Sequence, residues 1–246
     1  MISYGKSDTG KKRKANEDSF RISECDDWVC ATVCDGMGGA HGGSVASELA
    51  VCVYSNTLFK EIGKAGSPLT GQIIKNAMLS AVEEANTAVY ERAMEDDSLN
   101  GMGTTLVSGF TVGDTAYVLN VGDSRLYSIK NGFITQITRD HSYVQYLQDS
   151  GQISAEEAKE HPNRNIITKA VGISKKIEAD FLVADKFDGL LLCSDGLVNY
   201  VTEDVIQDIV SDKGSVKKKV NALVSAANKN GGGDNITVVL LMQEDK

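Results

Sequence analysis

The chain has 246 residues, of which 41% are hydrophobic and 24% charged, with only two prolines. That balance belongs to a globular protein able to bury its own core, and it excludes disordered and collagen-like chains. The net charge of −9 argues against a nucleic-acid binder and leaves an excess of carboxylates to be placed.

No apolar run approaches the roughly 18 residues that a membrane-spanning helix needs. Residues 1–6 lack the apolar stretch of a secretory signal, so the cytoplasm is the expected compartment. The five cysteines include no Cys-x-x-Cys pair. They read as small buried hydrophobes in a reducing environment, not as a zinc site. With no Pro-rich linker and no repeat, residues 1–246 are expected to form a single domain.

In chain order, residues 18–34 predict two short strands. Residues 44–60 predict a helix with Val45, Leu49 and Val53 on one face and Ala46 and Ala50 beside it. Pro68 opens a longer helix reaching about Met94, whose apolar face steps through Ile74, Met78, Ala81, Ala85 and Ala88. Four strands follow, over 104–112, 115–121, 125–130 and 133–137, expected as one antiparallel meander. Asn131-Gly132 is its strongest hairpin signal.

Residues 140–170 are polar and irregular, with one short helix announced by a Ser154-x-x-Glu157 capping box. The stretch near 140–165 is expected to form a flap. Strands near 178–184 and 187–193 precede a helix capped by Thr202, a last helix over 215–230 and a buried strand over 235–242. Interspersed runs of strands and helices predict an α+β fold, with two sheets face to face and helices outside.

Six aspartates sit beside a glycine. Gly beside Asp is an ordinary turn pair, which accounts for Asp114 and Asp188. Asp35, Asp123, Asp195 and Asp234 differ, because each adjoins a strand that reads as buried, and Glu17 and Asp18 adjoin another. If these strand ends converge, like charges about 4 Å apart repel by roughly 4 kcal/mol per pair at an effective dielectric near 20. Protons or cations must then offset them, and all-oxygen donors favour hard ions such as Mg²⁺, Mn²⁺ or Ca²⁺. The run Lys11-Lys12-Arg13-Lys14 lies just before these acids. Its arginine can fork onto a phosphate, which makes a phosphoryl-transfer site the leading idea.

These residues resemble the metal-dependent serine/threonine phosphatases of the protein phosphatase 2C family, bacterial type. The matching strings are Arg13-Lys14-Ala15-Asn16-Glu17-Asp18, Val33-Cys34-Asp35-Gly36-Met37-Gly38-Gly39, Gly103-Thr104-Thr105, Val121-Gly122-Asp123-Ser124-Arg125, Asp140-His141-Ser142, Ser194-Asp195-Gly196-Leu197 and Gly233-Asp234-Asn235-Ile236-Thr237. Each is weak alone; together, in the family's order, they cover nearly the whole chain.

The resemblance implies a central β-sandwich of two antiparallel sheets with helical layers on both outer faces. It implies two Mn²⁺ or Mg²⁺ ions, bridged by Asp35, with the Gly36 carbonyl on one and Asp195 and Asp234 on the other. Glu17 and Asp18 act through water or from behind, and a third, weaker ion falls to Asp123 with Asp195. Arg13 matches the phosphate-binding arginine. The implied reaction is direct hydrolysis by a water that bridges the two ions.

The expected partners are phosphorylated serine and threonine proteins and a cognate kinase, with no nucleic acid or membrane, and the chain is expected as a monomer. Many relatives carry His where this chain has Met37, so metal-bound water is the expected proton donor, with His41 a loop residue and His141 and His161 structural. The competing readings are a non-catalytic pseudophosphatase, a cation-binding scaffold and a phosphatase of small phosphomonoesters.

Overall fold

A computed structural model describes residues 1–66 and 68–244. The strands are β1 (Ile2–Asp8), β2 (Asp18–Cys25), β3 (Trp28–Met37), β4 (Gly103–Thr104), β5 (Leu106–Val112), β6 (Thr115–Val121), β7 (Arg125–Lys130), β8 (Phe133–Gln136), β9 (Asp180–Asp185), β10 (Gly189–Cys193) and β11 (Ile236–Met242). The helices are α1 (Gly39–Ala65), α2 (Gly71–Glu95), α3 (Tyr143–Asp149), α4 (Ala155–Glu160), α5 (Asp195–Val198), α6 (Glu203–Ser211) and α7 (Val216–Lys229).

Two antiparallel sheets result, in the orders β1-β11-β10-β7-β8 and β2-β3-β5-β6-β9, with β4 paired to β3. Side chains alternate across a strand, and here both faces are covered. Ala31, Val33, Leu190, Leu192, Val239 and Leu241 fill the space between the sheets. The residues between them point outward: Cys30 and Cys34 meet α1 and α2, while Leu191, Cys193, Val238 and Leu240 meet α6 and α7. This double burial is why the central strands read as unbroken apolar runs. The fold is the expected α+β sandwich with a helical layer on each side. Among the described residues no helix is long and apolar enough to cross a membrane.

Several expectations need correction. β6 and β7 lie in different sheets, so residues 104–137 are two hairpins and not one meander. The chain changes sheet at Gly122 (φ 105°), where a Cβ would stand 2.6 Å from the Thr105 side chain. Thr105 itself interrupts the first predicted strand. Helix α1 begins at Gly39, five residues early, and its fully buried line is Ala46, Ala50, Tyr54 and Leu58. Val45, Leu49 and Val53 flank that line and are only partly covered.

Helix α2 is capped by Thr70, which accepts from the Ile73 amide, and Val89 replaces Ala88 on its buried face. Thr202 stands at the start of α6 without a side-chain capping bond. The polar segment after residue 140 holds two helices, because Ser142 caps α3 in addition to the Ser154 box of α4. Cys30, Cys34 and Cys193 are buried, but Cys25 and Cys52 are exposed. The polar edge strand β1 and the single-turn helix α5 carry too little periodicity to be read in advance.

Candidate metal centre

Asp18 opens β2, and Asp35 lies directly across from it near the end of β3. Asp123 occupies the corner after β6, Asp195 is the first residue of α5, and Asp234 precedes β11. Five carboxylates thus arrive on five chain segments.

Neighbouring residues hold them by backbone or side chain. The Asp35 amide donates to Thr105 Oγ1, and the Asp35 carbonyl accepts from the Thr105 amide and Thr104 Oγ1, each at 2.9 Å. Ser194 Oγ donates to Asp18 Oδ2 at 2.7 Å and itself accepts the Thr237 amide at 2.9 Å. Asn199 Nδ2 donates to Asp195 Oδ2 at 3.0 Å. Asn235 Oδ1 accepts the Glu17 amide at 2.8 Å, which places Glu17 beside the cluster. The Gly36 amide donates to the Glu17 carbonyl at 3.1 Å. Gly36 and Gly43 meet closely: a Cβ on Gly36 would stand 2.0 Å from the Gly43 carbonyl oxygen. Two glycines at this contact let the start of α1 press onto the site.

Burial raises the proton affinity of four of the carboxyls, and mutual repulsion adds to it. Asp18 and Asp123 are each pushed up to about 7 by desolvation first and then chiefly by the charge of Asp195. Asp195 rises to about 6 through desolvation and Asp234. Asp35 is also raised well above the ordinary value, through desolvation and then Asp18, Asp195, Asp123 and Asp234 in that order. The electrostatics therefore register the convergence that the sequence only allowed.

Among the described residues, no three acidic, imidazole or thiol groups already meet in ligating geometry. Yet Asp18 Oδ1 and Asp195 Oδ1 are buried with no hydrogen-bond partner. Unpartnered anionic oxygens within an all-oxygen set suit a hard divalent cation. Arg13 Nη2 pairs with Asp234 Oδ2 at 2.9 Å, so the guanidinium sits at the rim of the cluster.

His41 is an exposed residue in the first turn of α1, not in a loop. His141 Nδ1 accepts the Gly122 amide and its Nε2 meets Asp180 Oδ2, both at 3.1 Å, so it braces the corner that carries Asp123. His161 Nδ1 accepts the Asn163 amide at 3.1 Å. Sequence reasoning assigned no role to Asn235, Ser194 or Thr105. Their only signal was membership of the matching strings.

The four raised carboxyls set a pH dependence. Each keeps its proton to higher pH in the folded chain than the ordinary value of 3.8. Between about pH 4 and 7 the folded state therefore binds more protons than the unfolded state, and its stability falls as the pH rises. In EDTA the thermal midpoint should drop from pH 5 to pH 7, and saturating Mn²⁺ should abolish that drop. A midpoint that climbs over this range in EDTA would contradict the electrostatics described.

The family model for protein phosphatase 2C matches residues 7–240. A curated relative, the serine/threonine phosphatase stp of Listeria welshimeri, is 40% identical over 239 residues, covering 96% of this chain and 93% of that protein. The crystal structure of the serine/threonine phosphatase Stp1 from Staphylococcus aureus aligns with a TM-score of 0.90 at 34% identity, covering 99% of this chain and 95% of that one. The catalytic domain of the phosphatase PstP, solved in complex with two manganese ions, aligns with a TM-score of 0.84 at 30% identity and 99% and 98% coverage. The chain belongs to the protein phosphatase 2C family, in its bacterial branch. It is a serine/threonine phosphatase whose activity depends on divalent metal ions.

Proposed function

We propose that Asp35, Asp195 and Asp234, with the Gly36 carbonyl, hold two Mn²⁺ or Mg²⁺ ions. Glu17 and Asp18 assist through water or from behind, and Asp123 shares a third, weaker ion with Asp195. The observation that carries this reading is the convergence of five carboxylates on five segments, with two buried oxygens left unpartnered. When bound, such ions lower the pKa of water toward neutrality and offset charge on phosphoryl oxygens.

The chain's own residues do the rest. Asp35 feels the charge of all four other aspartates of the cluster and would contribute to holding both ions. Thr104 and Thr105 hold its backbone and so fix the point from which its carboxylate reaches the site. Arg13 exchanges its pairing with Asp234 for a two-pronged grip on the phosphate, one charge-assisted contact replacing another. Residues 1–246 act as one catalytic domain, with the stretch near 140–165 as a flap beside Asp123. The partners on this reading are phosphorylated serine and threonine proteins and a cognate kinase, met by a monomer in the cytoplasm.

The test is Arg13→Lys, which keeps the charge and removes the planar fork. Losing one charge-assisted bond should raise KM for a phosphopeptide roughly tenfold, with a smaller fall in kcat. An unchanged KM would reduce Arg13 to part of a solvated turn.

A further inference from the structure

Residues 11–14 are four successive cations, Lys11, Lys12, Arg13 and Lys14, in a chain of net charge −9. All four are exposed. Such a run is ordinarily a loose, solvated turn. This one is clamped. The buried Asn235 donates from Nδ2 to the carbonyls of Thr9 and of Ala15, at 2.9 Å each, so one side chain ties both ends of the loop. Between those ends, the Lys11 and Lys12 amides donate to the Gly232 carbonyl at 2.7 and 3.2 Å. Gly10 (φ 77°) lies so close to the chain that a Cβ there would stand 2.1 Å from the Asp234 carbonyl oxygen. The loop is therefore a fixed strap across the segment that carries Asp234.

Arg13 meets the Asp234 carboxylate. Among the described residues, no carboxylate pairs with Lys11, Lys12 or Lys14, so the strap that carries Arg13 also carries three exposed cations without an acidic partner. If their task were to neutralise the carboxylate cluster, pairing like that of Arg13 is what they would show. Consecutive Cα atoms lie about 3.8 Å apart, so cations on either side of Arg13 are within reach of the residues flanking a bound phosphoresidue.

We infer that the strap of residues 9–15 selects phosphosites with acidic neighbours: Arg13 takes the phosphate, and Lys11, Lys12 and Lys14 take carboxylates one to three residues away. This deepens the reading of Arg13 given above and rests on it. The substrate class is thus an Asp- and Glu-rich phosphopeptide segment, a complement to the strap and not to the acidic remainder of the chain.

The test uses the whole protein with Mn²⁺ and two phosphothreonine peptides of equal length. One carries Asp and Glu around the phosphothreonine, and the other carries Asn and Gln. Three exposed ion pairs should favour the acidic peptide about tenfold in kcat/KM at low ionic strength. Near 0.5 M salt the preference should shrink to about twofold. The triple variant K11A/K12A/K14A keeps every backbone amide of the strap, and it should bring the ratio close to one. A ratio near one in the parent protein, or a tenfold ratio that survives in the triple variant, would overturn the inference. The role of Arg13 is read separately, because Arg13→Lys shifts KM for both peptides alike and cancels from their ratio.

Discussion

Replacing Asp195 or Asp234 by alanine should lower kcat on the order of 10³-fold, the scale on which a preorganised charge at a reacting centre acts. Excess EDTA should abolish activity in the parent protein. The two effects share a cause: these carboxylates are crowded together against their mutual repulsion, and cations are what offset it. Asp195 Oδ1 is buried and unpartnered. Removing that charge should leave the protein in EDTA at least as stable as before, so the loss of turnover cannot be traced to unfolding. Asp123→Ala should behave differently. It sits at the sheet-switching corner and feels chiefly Asp195, so two ions should stay bound while turnover still falls. Titration calorimetry with Mn²⁺ would count them. Full activity in EDTA would remove the metal assignment altogether, and loss of every ion from Asp123→Ala would move that residue into the primary set.

Asn235→Ala should be the most damaging substitution outside the carboxylates. One buried amide accepts the Glu17 amide and donates to the Thr9 and Ala15 carbonyls. At about 1 kcal/mol for each neutral hydrogen bond, its loss costs roughly 3 kcal/mol. For a domain of this size that corresponds to a fall of about 6–12 °C in Tm. The strap would also lose its tie, so KM for phosphopeptides should rise along with the loss of stability. Asn235→Asp separates the two contributions. It retains an acceptor for Glu17 but cannot donate to either carbonyl, so the strap should loosen while Glu17 stays in place. A Tm for Asn235→Ala within about a degree of the parent would mean that water replaces all three bonds.

Much of this protein was legible in its sequence because the relevant physics is local. Asn131-Gly132 forms its hairpin with both residues at positive φ, a conformation those two types adopt readily. The stretch 236–242 reads as a buried strand because sheets cover it on one side and helices on the other. Val216, Val220, Leu223 and Ala227 face inward on α7 as their spacing requires. The acids were visible as Asp-Gly pairs at strand ends, and a resemblance gathered them into one site.

What only the tertiary structure decided depends on contacts between distant segments. No local pattern shows that β6 and β7 part company at Gly122, since the crowding there comes from Thr105. The start of α1 at Gly39 runs against the low helix propensity of its glycines and follows from the close packing of Gly43 on Gly36 and Glu17. The sequence marks Arg13 as a phosphate ligand, but no local pattern shows that Asn235, more than two hundred residues away, clamps both ends of its loop. The raised proton affinities of Asp18, Asp35, Asp123 and Asp195 likewise belong to no single residue. They arise from burial and mutual repulsion, and both exist only once five segments have been brought to the same end of the sandwich.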